Sequence, residues 1–270
     1  DVGVAVYEPR SGFADPAQSC ASLAAAAVAA GAQLRASTVA TGLIAERAGE
    51  AGEAGRVAGA RVRPRGGGPE VEIRAQTTVL CSGAWSVALA ADAEVALPIR
   101  PTAVKLGFVE RTGSMHLTVI DAPNGIYLRP DLADRTLVGR RTWTDEPLES
   151  ADAPLPAVDG AFLTDAQERL VRRLPQFAGR PIVDTRAGML DMTPDALPLV
   201  GPARTSDGRP VDGLFLNCGW SGTGFKTGPA VGEALVELIA TGASTLDLSS
   251  YATDRAFPAL AASAPVRSPH

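Results

Sequence analysis

The chain of 270 residues is long enough for one large α/β domain or for two interleaved ones, and a single small module does not fit this length. Its formal net charge of -5 and its scattered lysines and arginines argue against a nucleic-acid-binding surface. Three widely separated cysteines and two histidines provide little material for a disulfide framework, a metal site or a histidine-based triad. We therefore expect a cytoplasmic protein with no metal, no nucleic-acid or membrane partner and no signal peptide.

The first quarter of the chain predicts a helix followed by extended segments. The opening VGVAVY has the pattern of a strand, and Asp15, Pro16 and Gln18 then stand where an N-cap, a first helical residue and a capping-box partner belong. The predicted helix runs to Gly31. Extended segments are expected at 34–36, 39–45, 57–63 and 71–74, with turns at 49–55 and 64–69.

A short buried strand at 78–81 is predicted to break into Ser82, Gly83, Ala84 and Trp85. A strand that ends in small residues and then begins a helix brings backbone amides toward a ligand. An ordinary strand-to-helix turn explains the same residues equally well, so both interpretations stay open for this segment.

The middle of the chain predicts an antiparallel sheet. Strand-like runs occur at 103–110, 116–120, 125–128 and 136–140. A proline-rich loop at 147–156 precedes an amphipathic helix at 164–174, which we expect to begin with Thr164 as its cap. A strand at 181–189 follows, and an irregular segment is expected at 192–201, where two prolines flank Asp195.

The most informative segment is GLFLNCGWSGTGFKTGPAVGEALVELIATG, at 213–242. Its apolar run LFL predicts a buried strand, its glycines predict a loop that a flat ligand can approach, and Pro229 suits the first position of a helix that ends at Gly242. The start of that helix favours an electron-rich or anionic group, and Lys226 stands beside it. A tight turn that binds nothing is the alternative for the glycine loop taken alone.

Three segments together resemble the D-amino-acid-oxidase-like FAD-dependent oxidoreductase superfamily: VLCSGAWS at 79–86, GMLDMTPDALPLVGP at 188–202 and LFLNCGWSGTGFKTGP at 214–229. The combination is most similar to the sarcosine and dimethylglycine oxidase branch, in particular to the β subunit of heterotetrameric sarcosine oxidase. The resemblance covers nearly the whole chain, because GFADPAQ at 12–18 and STVATGLIAE at 37–46 are also similar to family segments.

The resemblance implies an α/β fold of the α+β kind, in which a partial Rossmann-like FAD-binding domain is interleaved with an antiparallel β-sheet substrate domain. The FAD-binding domain would comprise 11–98 and, with the C-terminal helix, 192–270, while 99–191 would form the substrate domain over the flavin ring. The implied activity is hydride transfer to flavin from a small amino acid or a sarcosine-like N-methylated amine.

The resemblance also implies which residues hold FAD. Val39 would contact the adenine side through its backbone, and Ser82, Gly83 and Trp85 would line the adenosine and pyrophosphate path. Lys226 matches the family lysine that pairs with the substrate carboxylate, and it is the implied catalytic residue as well as part of the cofactor site. The flavin ring and ribityl chain would be enclosed by Gly219, Trp220, Ser221, Gly222, Thr223, Gly224 and Phe225.

Three further residues are minor candidates for the same pocket. Asp191 and Asp195 are possible pocket acids, although such residues more often cap turns. Arg186 falls where relatives carry tryptophan, and it is a candidate for a second carboxylate contact.

The sequence departs from the family pattern in several places. No G-x-G-x-x-G motif is present, so we expect a truncated product, half of a split enzyme or a fragment, completed by a partner chain that supplies this segment. Gly188 and Pro16 stand where relatives carry residues that bond the flavin, which implies non-covalent FAD. Leu137 replaces a lysine that some relatives use with oxygen, which favours a dehydrogenase.

Two other hypotheses remain beside the amine oxidoreductase. The chain is alternatively a catalytically incomplete C-terminal fragment or subunit that acts as a partner-binding domain. A nicotinamide-linked dehydrogenase is the weaker alternative, because no nicotinamide fingerprint is present.

Overall fold

The structure is a computed structural model that describes residues 3–46, 55–111, 113, 116–131, 134–140 and 146–257. Its helices are α1 (Pro16–Ala29), α2 (Ser86–Ala91), α3 (Gly160–Arg173) and α4 (Gly224–Thr241). Its strands are β1 (Thr38–Glu46), β2 (Gly55–Pro64), β3 (Val71–Arg74), β4 (Thr78–Leu80), β5 (Arg100–Glu110), β6 (Val119–Asp121), β7 (Ile126–Asp131), β8 (Arg135–Arg140), β9 (Ile182–Met192), β10 (Leu199–Arg204) and β11 (Pro210–Cys218).

The chain divides into two units, and both combine separate stretches of sequence. The first unit contains Asp1–Ala25, Thr102–Leu148 and Asp152–Met189. The second unit contains Ala26–Pro101, Glu149–Ala151 and Leu190–His270. The assignment of one unit to substrate and the other to cofactor stays a prediction.

The second unit is built on a mixed six-stranded sheet. Its strand order is β1-β2-β11-β10, with β3 added beside β2 and β4 added beside β11. β11 runs parallel to β4 and to the start of β2, whereas its pairing with β10 is antiparallel. Helix α4 buries Val231 and Leu235 against Val200 of β10, so the helix that follows β11 is fixed against the sheet by apolar contacts.

The first unit is an antiparallel sheet with one helix packed on it. The strand order is β6-β7-β8-β5-β9. The amphipathic helix α3 covers one face of the sheet, and its first turn is capped by Asp159, whose carboxylate accepts a hydrogen bond from the Phe162 amide at 2.8 Å. The core between helix and sheet consists of Val109, Ile126, Leu128, Val138, Phe162, Ala166, Leu170 and Phe177.

The predicted mixed α/β fold is confirmed, and so is the start of α1. Pro16 is the first residue of that helix, and the Asp15 carboxylate accepts a hydrogen bond from the Gln18 amide at 2.8 Å. α1 has no buried residue along its length. None of the helices in the described residues is both long enough and apolar enough to cross a bilayer.

Two predicted helix starts are wrong by four or five residues. α3 begins at Gly160 with Asp159 as its cap, because burial of Phe162 adds one turn before Thr164. α4 begins at Gly224, so Pro229 lies inside the helix and not at its first position. The consequence for the site is that Lys226 lies in the first turn of α4.

Some strand predictions also need correction. The described part of the VGVAVY segment, residues 3–7, forms no strand, and Val4 and Val6 are 84% and 86% exposed. Residues 34–36 are not a strand, since Ala36 lies in a turn. Residues 199–201, expected to be irregular, begin β10, and only the end of 116–120 belongs to a strand. Most of the predicted turn at 49–55 lies outside the described residues.

Candidate functional site

Two parallel strands of the second unit end side by side. β4 and β11 pair in parallel register with Leu80 opposite Leu216. Residues 81–85, the first loop, connect β4 to α2, and residues 219–223, the second loop, connect β11 to α4. Ligands of parallel sheets bind beyond the carboxyl ends of the strands. The two loops therefore define the candidate site, and they contain most of the predicted cofactor residues.

The first loop is compact and partly buried. Gly83 has a φ of 54°, in the left-handed region, and begins a short 3₁₀ turn that continues into α2. The hydroxyls of Ser82 and Ser86 lie 2.9 Å apart and share a hydrogen bond. Trp85 is 47% exposed at the end of the turn, so an aromatic surface remains available beside the loop.

The second loop has an unusual backbone. Gly219, Ser221 and Gly222 have φ values of 72°, 50° and 81°. The amides of Gly219 and Ser221 donate inside the protein, to the carboxylate and the carbonyl oxygen of Asp191, so the left-handed backbone shapes the loop without offering these two donors to a ligand. At Gly219 the absence of a side chain is also a steric requirement, because a Cβ atom would lie 2.7 Å from the Cγ2 atom of Thr193.

Ser221 is held in this conformation by hydrogen bonds to the segment that follows β9. Its hydroxyl oxygen accepts a hydrogen bond from the Thr193 amide at 3.1 Å and lies 3.1 Å from the Thr193 hydroxyl. The Ser221 amide donates to the Asp191 carbonyl oxygen at 3.3 Å. Ser221 is buried, and both its hydroxyl and its amide form hydrogen bonds within the protein, so its role is to shape the loop.

Asp191 lies between the two loops. Its carboxylate oxygen Oδ2 accepts a hydrogen bond from the Gly219 amide at 2.7 Å. The same oxygen would lie 3.7 Å from a Cβ atom placed on Gly83. The sequence indicated Asp191 only as a minor candidate for a pocket acid, whereas the structure gives it contacts with the second loop and proximity to the first.

Asp195 has a different and structural role. Both of its carboxylate oxygens accept hydrogen bonds from the Arg255 guanidinium, at 2.7 and 2.9 Å. Burial alone would raise the pKa of Asp195, but the hydrogen bonds from Arg255 and from the Leu197 amide outweigh it and hold that pKa below its usual value. Asp195 is therefore an ionised anchor of the 192–201 segment, which argues against a role as an acid or base.

Trp220 uses its side chain to pack the second loop onto the unit. Its indole nitrogen donates to the Asn217 side-chain oxygen at 3.0 Å, and its ring meets the Tyr251 ring edge-on at 6.4 Å between centroids. A Cβ atom on Gly224 would lie 2.9 Å from the indole Cγ atom, so glycine is needed there. The indole of Trp220 is thus half-buried, and its nitrogen is engaged within the protein.

The first turn of α4 presents a cation and an aromatic ring. Phe225 is 52% exposed, and Lys226 is exposed with no ion-pair partner within the part of the chain that the structure describes. A lysine in this turn adds positive charge to the end of the helix that is already partially positive, which does not stabilise the helix. Thr223, the residue before the helix, uses its hydroxyl to donate to the Trp220 carbonyl oxygen at 2.7 Å. The exposed amides and Lys226 together suit an anionic group.

The remaining predicted residues lie elsewhere. Val39 is half-buried near the start of β1, where it pairs with Arg63 of β2. Arg186 belongs to β9, where its guanidinium lies 4.9 Å from the centre of the Phe108 ring. Gly188 lies on the same strand, and Leu137 is buried in β8.

The buried thiol of Cys218 is a feature of the site that the sequence did not predict. Burial raises the pKa of Cys218 to about 12, against a smaller opposing effect of a hydrogen bond with Ser86. Cys218 therefore stays protonated at the end of β11 and acts as a small apolar side chain. A cysteine in the run LFLNC carried no signal that distinguished it from an accessible thiol.

The fold defines an α/β protein with a candidate site for a nucleotide cofactor at the carboxyl ends of two parallel strands. The family described as FAD dependent oxidoreductase (DAO) matches residues 1–238, and the chain belongs to this family. The membership confirms the predicted resemblance and FAD as the cofactor of the family. Non-covalent attachment of FAD and the roles of the individual residues stay predictions.

Several curated relatives and solved structures are similar to the chain. Mitochondrial sarcosine dehydrogenase of Mus musculus is 29% identical over 252 residues, which are 91% of this chain and 26% of that protein. The sarcosine oxidase β subunit of Rhodobacter capsulatus is 38% identical over 77 residues, or 28% of this chain and 17% of the relative. The chain therefore spans about a quarter of the length of the dehydrogenase.

Solved structures support the same fold. L-proline dehydrogenase from P. horikoshii has a TM-score of 0.73 and 24% identity, with 89% of this chain and 59% of that chain covered. Glycine oxidase from Geobacillus kaustophilus has a TM-score of 0.67 and 24% identity, with 88% and 57% covered. At this level of identity the likeness establishes the fold alone.

The described residues fit a flavin nucleotide. The second loop is exposed and without a side chain at Gly222, and the first amides of α4 have no acceptor within the helix. Trp85 and Phe225 leave aromatic surface exposed at the ends of the two loops. Such a combination of amide donors, bare backbone and exposed rings suits an electron-rich planar group with anionic substituents.

Proposed function

We propose that the chain forms part of an FAD-dependent oxidoreductase that oxidises a small amino acid or an N-methylated amine such as sarcosine. The observation that carries this proposal is the adjacency of the two glycine-containing loops at the ends of β4 and β11. The names of similar proteins, sarcosine dehydrogenase, sarcosine oxidase β subunit, glycine oxidase and L-proline dehydrogenase, support a small amine or amino acid as the substrate.

The protein's contribution to such a reaction is placement. When bound, FAD supplies the acceptor for a hydride equivalent from the carbon beside the amine nitrogen. The backbone of the second loop and the first turn of α4 would hold the cofactor, and Lys226 would bind the substrate carboxylate by a charge-assisted hydrogen bond. This contact fixes which end of the substrate enters the site, and an oriented substrate needs less activation entropy.

Flavin binding gives the direct test of this function. The purified chain, alone and together with any partner chain encoded beside it, is expected to take up FAD and to show flavin absorbance. Replacement of Gly222 by valine should reduce the uptake, because a β-branched residue is strained at a φ of 81°. Gly232→Ala in α4 is the control, since a Cβ atom there has no neighbour within 4 Å. Absence of flavin in every preparation contradicts the proposal.

A second candidate function, a partner-binding domain of a larger enzyme, is supported by the edge of the second unit's sheet. β4 has one neighbouring strand among the described strands, β11, and Val79 in the middle of β4 is 37% exposed. Parallel strands usually lie inside a sheet, with their faces covered by other elements. The open edge of β4 thus suits an additional strand that another segment or chain supplies.

Substitution at this edge separates the two candidates. Val79→Lys is expected to weaken assembly with a partner, because a charged residue on an open edge disfavours strand addition. Val71→Lys on β3, also an exposed valine, is the control. If the partner forms the same complex with both variants, as measured by analytical ultracentrifugation, the β4 edge is not the docking surface. A cytoplasmic location stays a prediction that cell fractionation tests.

A further inference from the structure

Asp191 combines two contacts that control the backbone of the second loop. Its carboxylate accepts the Gly219 amide proton at 2.7 Å, and its main-chain carbonyl oxygen accepts the Ser221 amide proton at 3.3 Å. The residue belongs to the end of β9, so it approaches the loop from a different strand than those that carry the two loops. One residue therefore fixes the first and third positions of the loop.

The loop needs such external support because its backbone is strained. Ser221 is a non-glycine residue with a φ of 50°, and residues in this region persist only where the surrounding structure holds them. The contacts that hold it come from Asp191 and Thr193. Of these, only the Asp191 side chain also binds the amide of Gly219, the residue at which the strand turns into the loop.

Within the described ranges of the chain the Asp191 carboxylate takes part in no ion pair, and the residue is half-buried. An amide that loses its acceptor incurs the cost of an unmade hydrogen bond, whichever oxygen had accepted it. The hydrogen bond from the Gly219 amide is therefore the main interaction of the Asp191 carboxylate.

We propose that Asp191 is a positioning residue for the cofactor: by accepting the Gly219 amide proton it holds the second loop in the conformation that receives FAD. The inference rests on the proposed function for its ligand, whereas the hold on the loop belongs to the protein alone. Asp191 acts through the loop and needs no contact with the substrate. Its carboxylate is consequently replaceable by another acceptor of the same shape.

The test compares Asp191→Asn, which keeps an acceptor oxygen, with Asp191→Ala, which removes it. In the chain without added FAD, hydrogen exchange of the amides at residues 219–222 is expected to accelerate about tenfold or more in the alanine variant, because the Gly219 amide loses its acceptor. The asparagine variant should stay close to the original protein. Asp212→Ala, an exposed acidic residue on β11, is the matched control and should leave exchange in the loop unchanged.

The second part of the test measures the dissociation constant for FAD by titration. The chain is assembled with its partner where one is needed. The dissociation constant is expected to rise about tenfold or more for Asp191→Ala and to recover to within about threefold for Asp191→Asn. Unchanged exchange and unchanged affinity in the alanine variant overturn the proposal, and so does equal loss in both variants. If the original protein takes up no FAD, the proposed function fails, while the exchange comparison still decides whether Asp191 holds the loop.

Discussion

A Cβ atom on Gly219 would lie 2.7 Å from the Cγ2 atom of Thr193. The φ of 72° at Gly219 adds a conformational requirement, because side-chain-bearing residues are strained in that region. The two constraints act on one position at the junction of β11 and the second loop. Glycine is therefore needed here for both space and backbone conformation.

Gly219→Ala is expected to destabilise the protein by about 2 kcal/mol or more, from strain in the left-handed region together with the steric conflict. Gly232→Ala should have the opposite sign and stabilise α4 by about 0.5–1 kcal/mol, because alanine favours helix and the position is spatially open. Denaturant unfolding of the two variants measures both effects. Equal stability of the two variants would contradict the steric argument.

The ion pair of Asp195 with Arg255 predicts a dependence of stability on pH. The pKa of Asp195 in the folded protein is lowered, since hydrogen bonds from Arg255 and Leu197 outweigh the opposing effect of burial. The ion pair therefore stabilises the folded protein fully above the pKa of an unfolded aspartate, about 3.9. This stabilisation is lost as the pH falls through the lower pKa that Asp195 has in the folded protein.

Arg255→Met removes the partner of a carboxylate that is 18% exposed, and it is expected to lower the free energy of unfolding by about 3 kcal/mol at pH 7. The difference from the original protein should shrink as the pH falls through the lowered pKa of Asp195 in the folded original protein, below which Asp195 is neutral in both proteins. Urea unfolding of both proteins at several pH values measures this difference in the free energy of unfolding. A difference that stays constant down to the acid limit of folding would show that the ion pair is not its cause.

The sequence predicted those parts of the fold that depend on local patterns. Asp15 and Pro16 mark the start of α1 as expected, and the strands at β2, β3 and β11 follow their apolar runs. Pro229 misled the prediction of α4, because local preference places proline in the first turn while packing of the Trp220 indole and Val231 extends the helix backward to Gly224.

The candidate site was predictable in part. The glycines of the second loop and Lys226 at the start of α4 were identifiable as a group because they lie close together in the sequence. The Asp191–Gly219 contact was not, because it joins residues 28 positions apart and depends on how β9 ends relative to β11. Contacts of this kind follow from tertiary packing, for which neither propensity nor spacing provides a signal.

The three cysteines are expected to differ in reactivity. Cys20 and Cys81 are exposed, whereas Cys218 is buried with its pKa raised to about 12. Desolvation by nearby protein atoms also raises the pKa of Cys81. Because the thiolate is the reactive species, iodoacetamide at pH 8 should modify Cys20 first, Cys81 more slowly and Cys218 only after unfolding.

Peptide mass spectrometry during alkylation measures this order. Cys81 opens the first loop, so bound FAD is expected to slow its modification while leaving Cys20 unaffected. Cys20 serves as the internal control, since it lies on α1 away from both loops in sequence. Rapid alkylation of Cys218 in the folded protein would contradict its burial, and equal protection of both exposed cysteines would argue against specific binding at the first loop.

Lys226 carries the prediction about substrate orientation. Lys226→Met removes the charge but retains a long apolar side chain, and it is expected to raise KM for a carboxylate-bearing amine about 10- to 100-fold, which corresponds to the loss of one charge-assisted hydrogen bond. Lys226→Arg should recover part of this loss, because it restores a cation. Flavin content should change little in either variant, since the loop backbone supplies the other cofactor contacts.

A comparison of two substrates sharpens the assignment of Lys226. For an amine of similar size without a carboxylate, Lys226→Met should change KM by less than about threefold, because the lost interaction needs an anionic partner. Glu233→Gln, a change of charge in the same helix, is the control for a general electrostatic effect. If the methionine variant raises KM equally for both substrates, Lys226 acts on the cofactor or on the fold. If KM is unchanged for both substrates, Lys226 is a solvated residue at the start of α4.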